Sequence, residues 1–402
     1  RITAASTQID VKTAKAALFP SLSFSTGHQV VNRPYQETSS RVSGSEIISS
    51  NSKTSYNGNY GLNASWTLYN GNKRLKTIQQ EKLNNQMAEL DVATSENNIQ
   101  ESIAQVYIQI LYAAESVKVN ENTLQVSIAQ RDRGQELLNA GSIAKSDLAQ
   151  LEAQVSTDRY QLVTAQATLE DYKLQLKQLL ELDGENEMNI YLPALSDENV
   201  LAPLPTKRDV YISALSLRPE IEASKLNVEA SELGINIAKS SYFPTISLSA
   251  GIGTNHTSGS DFTFGEQVKN GWNNSIGLSV SVPIFNNRQT KSAVQKAKLQ
   301  YETSMLSLLD EQKALYKTIE SLWLDANSAQ QRYAAANEKL KSTQISYELI
   351  SEQFNLGMKN TVELLTEKNN LLQAQQEQLQ AKYMAILNTQ LLKFYQGDQL
   401  AL

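Results

Sequence analysis

Asn139-Ala140-Gly141-Ser142-Ile143-Ala144-Lys145-Ser146-Asp147-Leu148 has a near copy in Asn355-Leu356-Gly357-Met358-Lys359-Asn360-Thr361-Val362-Glu363-Leu364, with the two glycines 216 positions apart (357 − 141). Each copy reads as the bend between two long helices. Glycine adopts the left-handed conformation that ends a helix, and Ser146, Asn360 or Thr361 can cap the helix that follows. Asp147 and Glu363 then stand in a first turn, where a carboxylate suits the helix dipole. The chain is therefore predicted to form two hairpins, each built around one tip.

Outward from the tips, the duplication continues. Ala14 to Ser23 (Ala-Lys-Ala-Ala-Leu-Phe-Pro-Ser-Leu-Ser) pairs with Ala238 to Ser247 at an offset of 224 (243 − 19), whereas Gly61-Leu62 pairs with Gly277-Leu278 at 216 (277 − 61). The first copy thus holds extra residues between its strands, while the helices match without net insertion. The predicted organisation is a first repeat over 1–182, a linker over 183–216 and a second repeat over 217–402. In the first repeat, strands are expected near 20–30 and 58–69 and helices near 70–138 and 146–182. In the second, strands are expected near 244–254 and 272–284 and helices near 286–354 and 361–394. Arg1 falls opposite Lys225, but the second copy opens earlier, at Leu217-Arg218-Pro219-Glu220-Ile221. Repeat symmetry therefore predicts about two dozen residues upstream of Arg1, where any signal peptide or lipid-anchoring cysteine would lie.

The strand expectation rests on period two. Leu62, Ala64, Trp66 and Leu68 interleave with Gly61, Asn63, Ser65 and Thr67, and Ile276, Leu278, Val280 and Val282 interleave with Gly277, Ser279, Ser281 and Pro283. Leu22 and Phe24, and Ile246, Leu248, Ala250 and Ile252, complete the set. Strands of about ten residues can cross a tilted bilayer path. The alternation by itself fits a lumen-facing barrel strand and a sandwich strand with one solvated face equally well. Asn32 to Ser55 and Thr254 to Gly271, rich in Ser, Asn, Gly and Thr, read as long exposed loops.

No proline occurs between Pro34 and Pro193 or after Pro283, so Asn70 to Leu138 and Asn286 to Phe354 can each run as one helix; at 1.5 Å per residue each would be ~100 Å long. Leu148, Leu151, Val155, Leu162, Ala165, Leu169, Tyr172, Leu176 and Leu179 step by threes and fours, with one polar break at Asp158. Leu365, Leu372, Leu379 and Ile386 repeat every seven, and both sets read as coiled-coil seams. A hydrophobic content of 41% suits long helices with much wetted surface.

A net charge of −6 leaves no basic stripe, so nucleic-acid binding is not expected. There is no cysteine, no phosphate loop and no paired general acid and base; His28 and His256 have no carboxylate at ligand spacing. No catalytic residue, metal site or cofactor is predicted. No stretch approaches the length of an apolar transmembrane helix, so a membrane crossing would have to use strands. Four such strands cannot close a barrel, and an open edge in lipid leaves unpaired backbone groups. Copies must then associate, and a conducting lumen favours three, giving twelve strands, over two, whose eight-stranded barrel would be filled by its own side chains.

At this point the chain resembles a known family, the TolC-like outer-membrane factors, which are exit ducts of tripartite efflux pumps and type I secretion systems. The resemblance spans essentially the whole chain. It rests on the Leu217 to Ile221 opening, the Phe19-Pro20 and Phe243-Pro244 strand starts, the strand ends at Leu68-Tyr69-Asn70-Gly71 and Pro283-Ile284-Phe285-Asn286, and the two tip turns. It implies a mixed α and β fold: a membrane β-barrel with four strands per chain, continuous with a long α-helical coiled-coil barrel. It further implies a homotrimer in outer-membrane lipid, a periplasmic helical tunnel, a belt that includes the Leu182 to Pro205 link, and a tip closed at rest. The partners implied are a periplasmic adaptor protein, contacting the turns at Gly141, Ser142, Ile143, Gly357 and Met358, and an inner-membrane transporter that supplies the energy. Cargo could be small molecules or a secreted protein.

The same resemblance assigns a gate. Asp147 would bind Lys359 of the other hairpin in the closed state, Phe354 takes the place of a hydrogen-bonding tyrosine, and Glu363 matches one of two acidic rings whose other position is Thr366. The alternative for these residues is ordinary first-turn acids and a solvated lysine, since an exposed pair is worth ~0–1 kcal/mol. The alternative for the whole chain is a soluble coiled-coil scaffold without channel activity.

Overall fold

The computed structural model describes residues 1–35, 39–43, 46–50, 53–182, 190–191, 200–260 and 262–400. The elements in chain order are α1 (Ile2–Ala16), β1 (Ser21–Asn32), β2 (Ser39–Ser43), β3 (Glu46–Ser50), β4 (Thr54–Asn70), α2 (Lys73–Asn139), α3 (Lys145–Leu179), α4 (Lys207–Leu217), α5 (Pro219–Ser240), β5 (Thr245–Thr257), α6 (Phe264–Asn270), β6 (Asn273–Ser281), α7 (Gln289–Asn355) and α8 (Thr361–Gln396). α2 and α7 each have 67 residues. The chain divides into two compact units: Arg1–Leu90 with Ala223–Leu308, and Asp91–Glu222 with Leu309–Leu402. Each unit draws on both halves of the sequence, because a segment of one half packs against a segment of the other.

The first unit holds an antiparallel sheet in the order β1-β4-β5-β6. Its register sorts the side chains by chemistry. Leu22, Ala64, Ala250 and Ile276 form one cross-strand row, Phe24, Leu62 and Ile252, ending at the polar Asn274, the next, and Trp66, Leu248 and Leu278 another, all on one face. On the opposite face the rows are Ser21, Ser65, Ser249 and Gly277, then Ser23, Asn63, Gly251 and Ser275. No Asp, Glu, Lys or Arg occurs in any of these four strands. The apolar face is uncovered within the chain: Phe24, Leu278 and Ile276 are 68%, 64% and 82% exposed. Among the described residues, β1 and β6 have no strand on their outer sides. β6 stops at Ser281 rather than near 284, because Pro283 has no N–H to extend the ladder. Helices of this unit meet through polar contacts, Gln80 donating to the Ala230 carbonyl at 3.0 Å and Ser231 bonding Ser304 at 2.8 Å.

Two stretches expected to be plain loops contain elements. Asn32 to Ser55 includes the β2–β3 hairpin, and Thr254 to Gly271 includes the end of β5 and all of α6. α6 starts with a reciprocal cap: the Thr263 hydroxyl accepts from the Glu266 N–H, and the Glu266 carboxylate accepts from the Thr263 N–H at 2.8 Å.

The second unit has the apolar core. Val210, Ala214 and Ile221 pack with Leu315, Ile319, Ala326, Leu392 and Tyr395, and a neighbouring layer joins Ile108 and Leu111 of α2 to Leu379, Tyr383, Leu387 and Leu391 of α8. The steps of three and four place these residues along single helix faces. The linker expected over 183–216 is helical from Lys207, where Thr206 caps α4 and Val210 and Ala214 anchor it one turn apart. Residues 183–189 and 192–199 of that linker lie outside the described residues.

Between α4 and α5 the chain bends at Arg218, which is extended (φ −75°, ψ 123°) because the following Pro219 excludes the helical conformation. The bend buries the guanidinium. It donates to Glu220 at 2.7 Å and to Glu101 at 3.3 Å, and lies 4.3 Å from the centre of the Tyr395 ring. Burial pushes the Glu101 carboxyl above its ordinary value, against the lowering effect of Arg218, and burial likewise raises the Tyr395 hydroxyl to about 12.

Candidate functional site

The two tip turns have the same backbone. In the first, Gly141 N–H donates to the Leu138 carbonyl at 2.9 Å and Ser142 N–H to Leu137 at 2.8 Å; in the second, Gly357 N–H donates to Phe354 at 2.9 Å and Met358 N–H to Gln353 at 2.8 Å. These paired bonds close a helix end through one left-handed residue. Gly141 and Gly357 supply it, with φ of +77° and +75°. A Cβ on either glycine would touch nothing within 4 Å, so the backbone alone demands glycine there. Gly357→Ala is therefore expected to cost about 1–2 kcal/mol of local stability, read as faster hydrogen exchange of the Leu356 to Lys359 amides. Unchanged exchange would refute this account of the turn.

The helices after the turns begin differently from each other. Asn360 caps α8, its side chain accepting from the Glu363 N–H at 2.9 Å while the Glu363 carboxylate accepts from the Asn360 N–H at 3.2 Å. α3 is capped at Ala144, which has no side-chain acceptor; Asp147 reaches back to accept from the Ala144 N–H at 3.0 Å. Ser146 and Thr361 thus lie inside the helices rather than at their caps, and Thr361 is fully buried.

Within one chain Asp147 and Lys359 each bond inside their own hairpin. Lys359 Nζ is 2.5 Å from Glu363 Oε1, one turn along the same strand of chain. That hydrogen bond, and then the Asn360 N–H, hold the Glu363 carboxyl below its ordinary value. Gly141, Ser142 and Met358 are exposed and Ile143 is half-buried. Leu356 and Val362 add exposed apolar surface beside Met358. Phe354 lies in an apolar layer with Leu151 and Leu364, flanked by Leu137 and Tyr347.

Two polar contacts above that layer escape sequence reading. Gln130 of α2 donates to the Tyr347 hydroxyl of α7 at 2.7 Å. Deeper still, Lys368 of α8 donates to both Ser127 of α2 and Asp158 of α3, and Ser127 donates to the same Asp158 oxygen. All three side chains are buried, and Gln154 donates to the other Asp158 oxygen at 2.9 Å. Burial pushes the Lys368 ammonium below its ordinary value, while its bond to Asp158 works the other way. The polar break at Asp158 in the α3 seam is the sequence signal; nothing in a single sequence names Lys368 as its partner. Among the described residues no helix is long and apolar enough to cross a membrane, and no cluster of three His, Cys, Asp or Glu could hold a metal.

Against known proteins, the chain is similar to the outer membrane efflux protein BepC of Brucella suis biovar 1 (strain 1330), 24% identical over 73% of this chain and 61% of that protein. It is also similar to the outer membrane protein TolC of Escherichia coli (strain K12), 24% identical over 71% of this chain and 58% of that protein. The matched stretch therefore spans about three-fifths of the length of these relatives. Among solved structures, the fold matches that of CusC with a TM-score of 0.81 at 19% identity, covering 99% of this chain and 88% of that one. The profile of the family described as "Outer membrane efflux protein" matches residues 1–181 and 210–397, the two stretches that carry the sheet, the long helices and both tips, and the chain belongs to that family.

Proposed function

We propose that the chain is the outer-membrane exit duct of a tripartite efflux pump or type I secretion system. Three copies form a twelve-stranded barrel in outer-membrane lipid and a helical tunnel in the periplasm, and cargo passes through without any chemical step. The observation that carries this reading is the β1-β4-β5-β6 sheet. It has an uncharged, largely apolar face, a face of Ser, Asn and Gly, and, among the described residues, two unpaired edges. Closure with copies of itself pairs both edges and gives each face its own solvent. A soluble scaffold gives no account of that apolar face. The names of relatives support a duct: the CusC structure describes transmembrane channel formation, and AprF of Pseudomonas aeruginosa is an alkaline protease secretion protein.

The helical seams point the same way. α3 has 35 residues but buries Leu151, Val155, Asp158 and Leu176 alone, leaving Leu162, Ala165 and Leu169 half-covered for a neighbouring copy. The exposed tip turns, with Leu356, Met358 and Val362, are the surface for a periplasmic adaptor, which links the duct to an inner-membrane transporter.

At the closed tip, Asp147 of one hairpin engages Lys359 of the other, and Lys359 exchanges this contact with Glu363. The test is single-channel recording of the purified protein in a planar bilayer, parent against Asp147→Ala plus Lys359→Ala. Three such contacts at ~0–1 kcal/mol each can shift the open population by up to about a hundredfold. Rare openings in the parent that become frequent in the double variant support the gate. A conducting parent indifferent to the change discards the gate, and a folded parent that never conducts discards the duct.

A further inference from the structure

The Ser127, Asp158 and Lys368 cluster lies outside the tip residues that the proposed gate uses, and it has a property that the apolar contacts around it lack. Leu137, Leu151, Phe354 and Leu364 can slide over one another and lose contact gradually. The buried cluster cannot. Lys368 joins α8 to two helices at once, and Asp158 accepts from Ser127, Gln154 and Lys368 together. Drawing α8 away from α2 and α3 by a bond length breaks both Lys368 bonds together and strands a buried ammonium opposite a carboxylate that keeps only the neutral Ser127 and Gln154. Such a contact holds at full strength or lets go.

We propose that Ser127, Asp158 and Lys368 form an intrachain lock that fixes the spacing of the two tip turns of one chain. With the lock closed, the α2–α3 and α7–α8 hairpins near the tip move as one piece. Spreading them requires the charge pair to break and hydrate first. The consequence for conductance rests on the proposed duct; the lock itself does not.

The experiment is hydrogen exchange of the Leu364 to Leu372 amides in the purified full chain, comparing the parent with Lys368→Met and with Lys368→Met plus Asp158→Leu. The single variant strands a buried carboxylate and is expected to speed exchange by about tenfold or more, whereas the double variant removes both charges and returns most of the protection. Unchanged exchange in the single variant overturns the lock. So does equal acceleration in both variants, because packing volume rather than charge pairing would then hold α8. Should Lys368→Met fail to fold, Asp158→Asn keeps the side-chain shape, removes the charge and carries the same expectation and the same refutation.

Bilayer recordings of the same variants separate the lock from the duct. More frequent openings in Lys368→Met support control of the tip. Faster exchange with no rise in opening overturns that control. A parent that never conducts, with the exchange effect intact, removes the duct reading and leaves the lock in place.

Discussion

Arg218→Ala is expected to lower the stability of the unit that contains it by about 3–5 kcal/mol, the range for removing one partner of a buried ion pair. The guanidinium stands between Glu101 and Glu220 and covers the Tyr395 ring. Its loss leaves two carboxylates close together in a region where burial already raises the Glu101 carboxyl. It also opens space beside the layer of Val210, Ala214 and Ile221. Arg218→Lys should recover little, since an ammonium cannot hold two carboxylates and lie flat on an aromatic ring at once. Adding Glu101→Gln to Arg218→Ala should restore part of the loss by removing one stranded charge. Chemical denaturation of the three variants checks the order, and a loss below about 1 kcal/mol for Arg218→Ala would show the cluster to be peripheral to stability.

Leu278→Lys is expected to cost about 2–4 kcal/mol per chain if its face meets the middle of a bilayer, a loss repeated in every copy of a closed barrel. Ser279→Lys, one residue on and on the opposite face, should leave assembly intact, because in the proposed barrel that face meets water. The pair is informative because the two residues are adjacent on the same edge strand and differ in the face they occupy; Ser279 shares its row with Thr67 and Ser247. The measurement is the yield of sodium dodecyl sulfate-resistant oligomer after outer-membrane extraction. The reverse result, with Ser279→Lys failing and Leu278→Lys assembling, would turn the sheet inside out and remove the barrel.

What the sequence made legible follows from how local each signal is. The strands announce themselves because every second residue from Leu62 to Trp66, or from Ile246 to Ile252, is apolar, a pattern set by the pleat alone. The tips are legible because Gly141 and Gly357 sit where a helix must turn left-handed. The long helices are legible because nothing in them forbids continuation. α4 and α6 are hidden, since their caps at Thr206 and Thr263 lie in tracts whose Pro, Gly, Ser and Asn content reads as loop. The site divides the same way. Asp147 and Glu363 are recognisable as first-turn acids, and both do serve the caps of their helices. The partner of Lys359 within the chain is local, Glu363 four residues on, whereas that of Lys368 depends on which side chain lies within reach in space. For Lys368 that neighbour is 210 residues away in the chain.

The sheet also dictates how the protein comes to exist. A single folded copy, with one bare apolar face and two open edges, suits neither water, which rejects the face, nor lipid, which rejects the edges. If the proposed barrel forms, folding of the strands and meeting of the copies are one event, and the population of the finished sheet then depends on chain concentration as well as on temperature. An isolated chain can carry settled helices long before its strands have anywhere to rest.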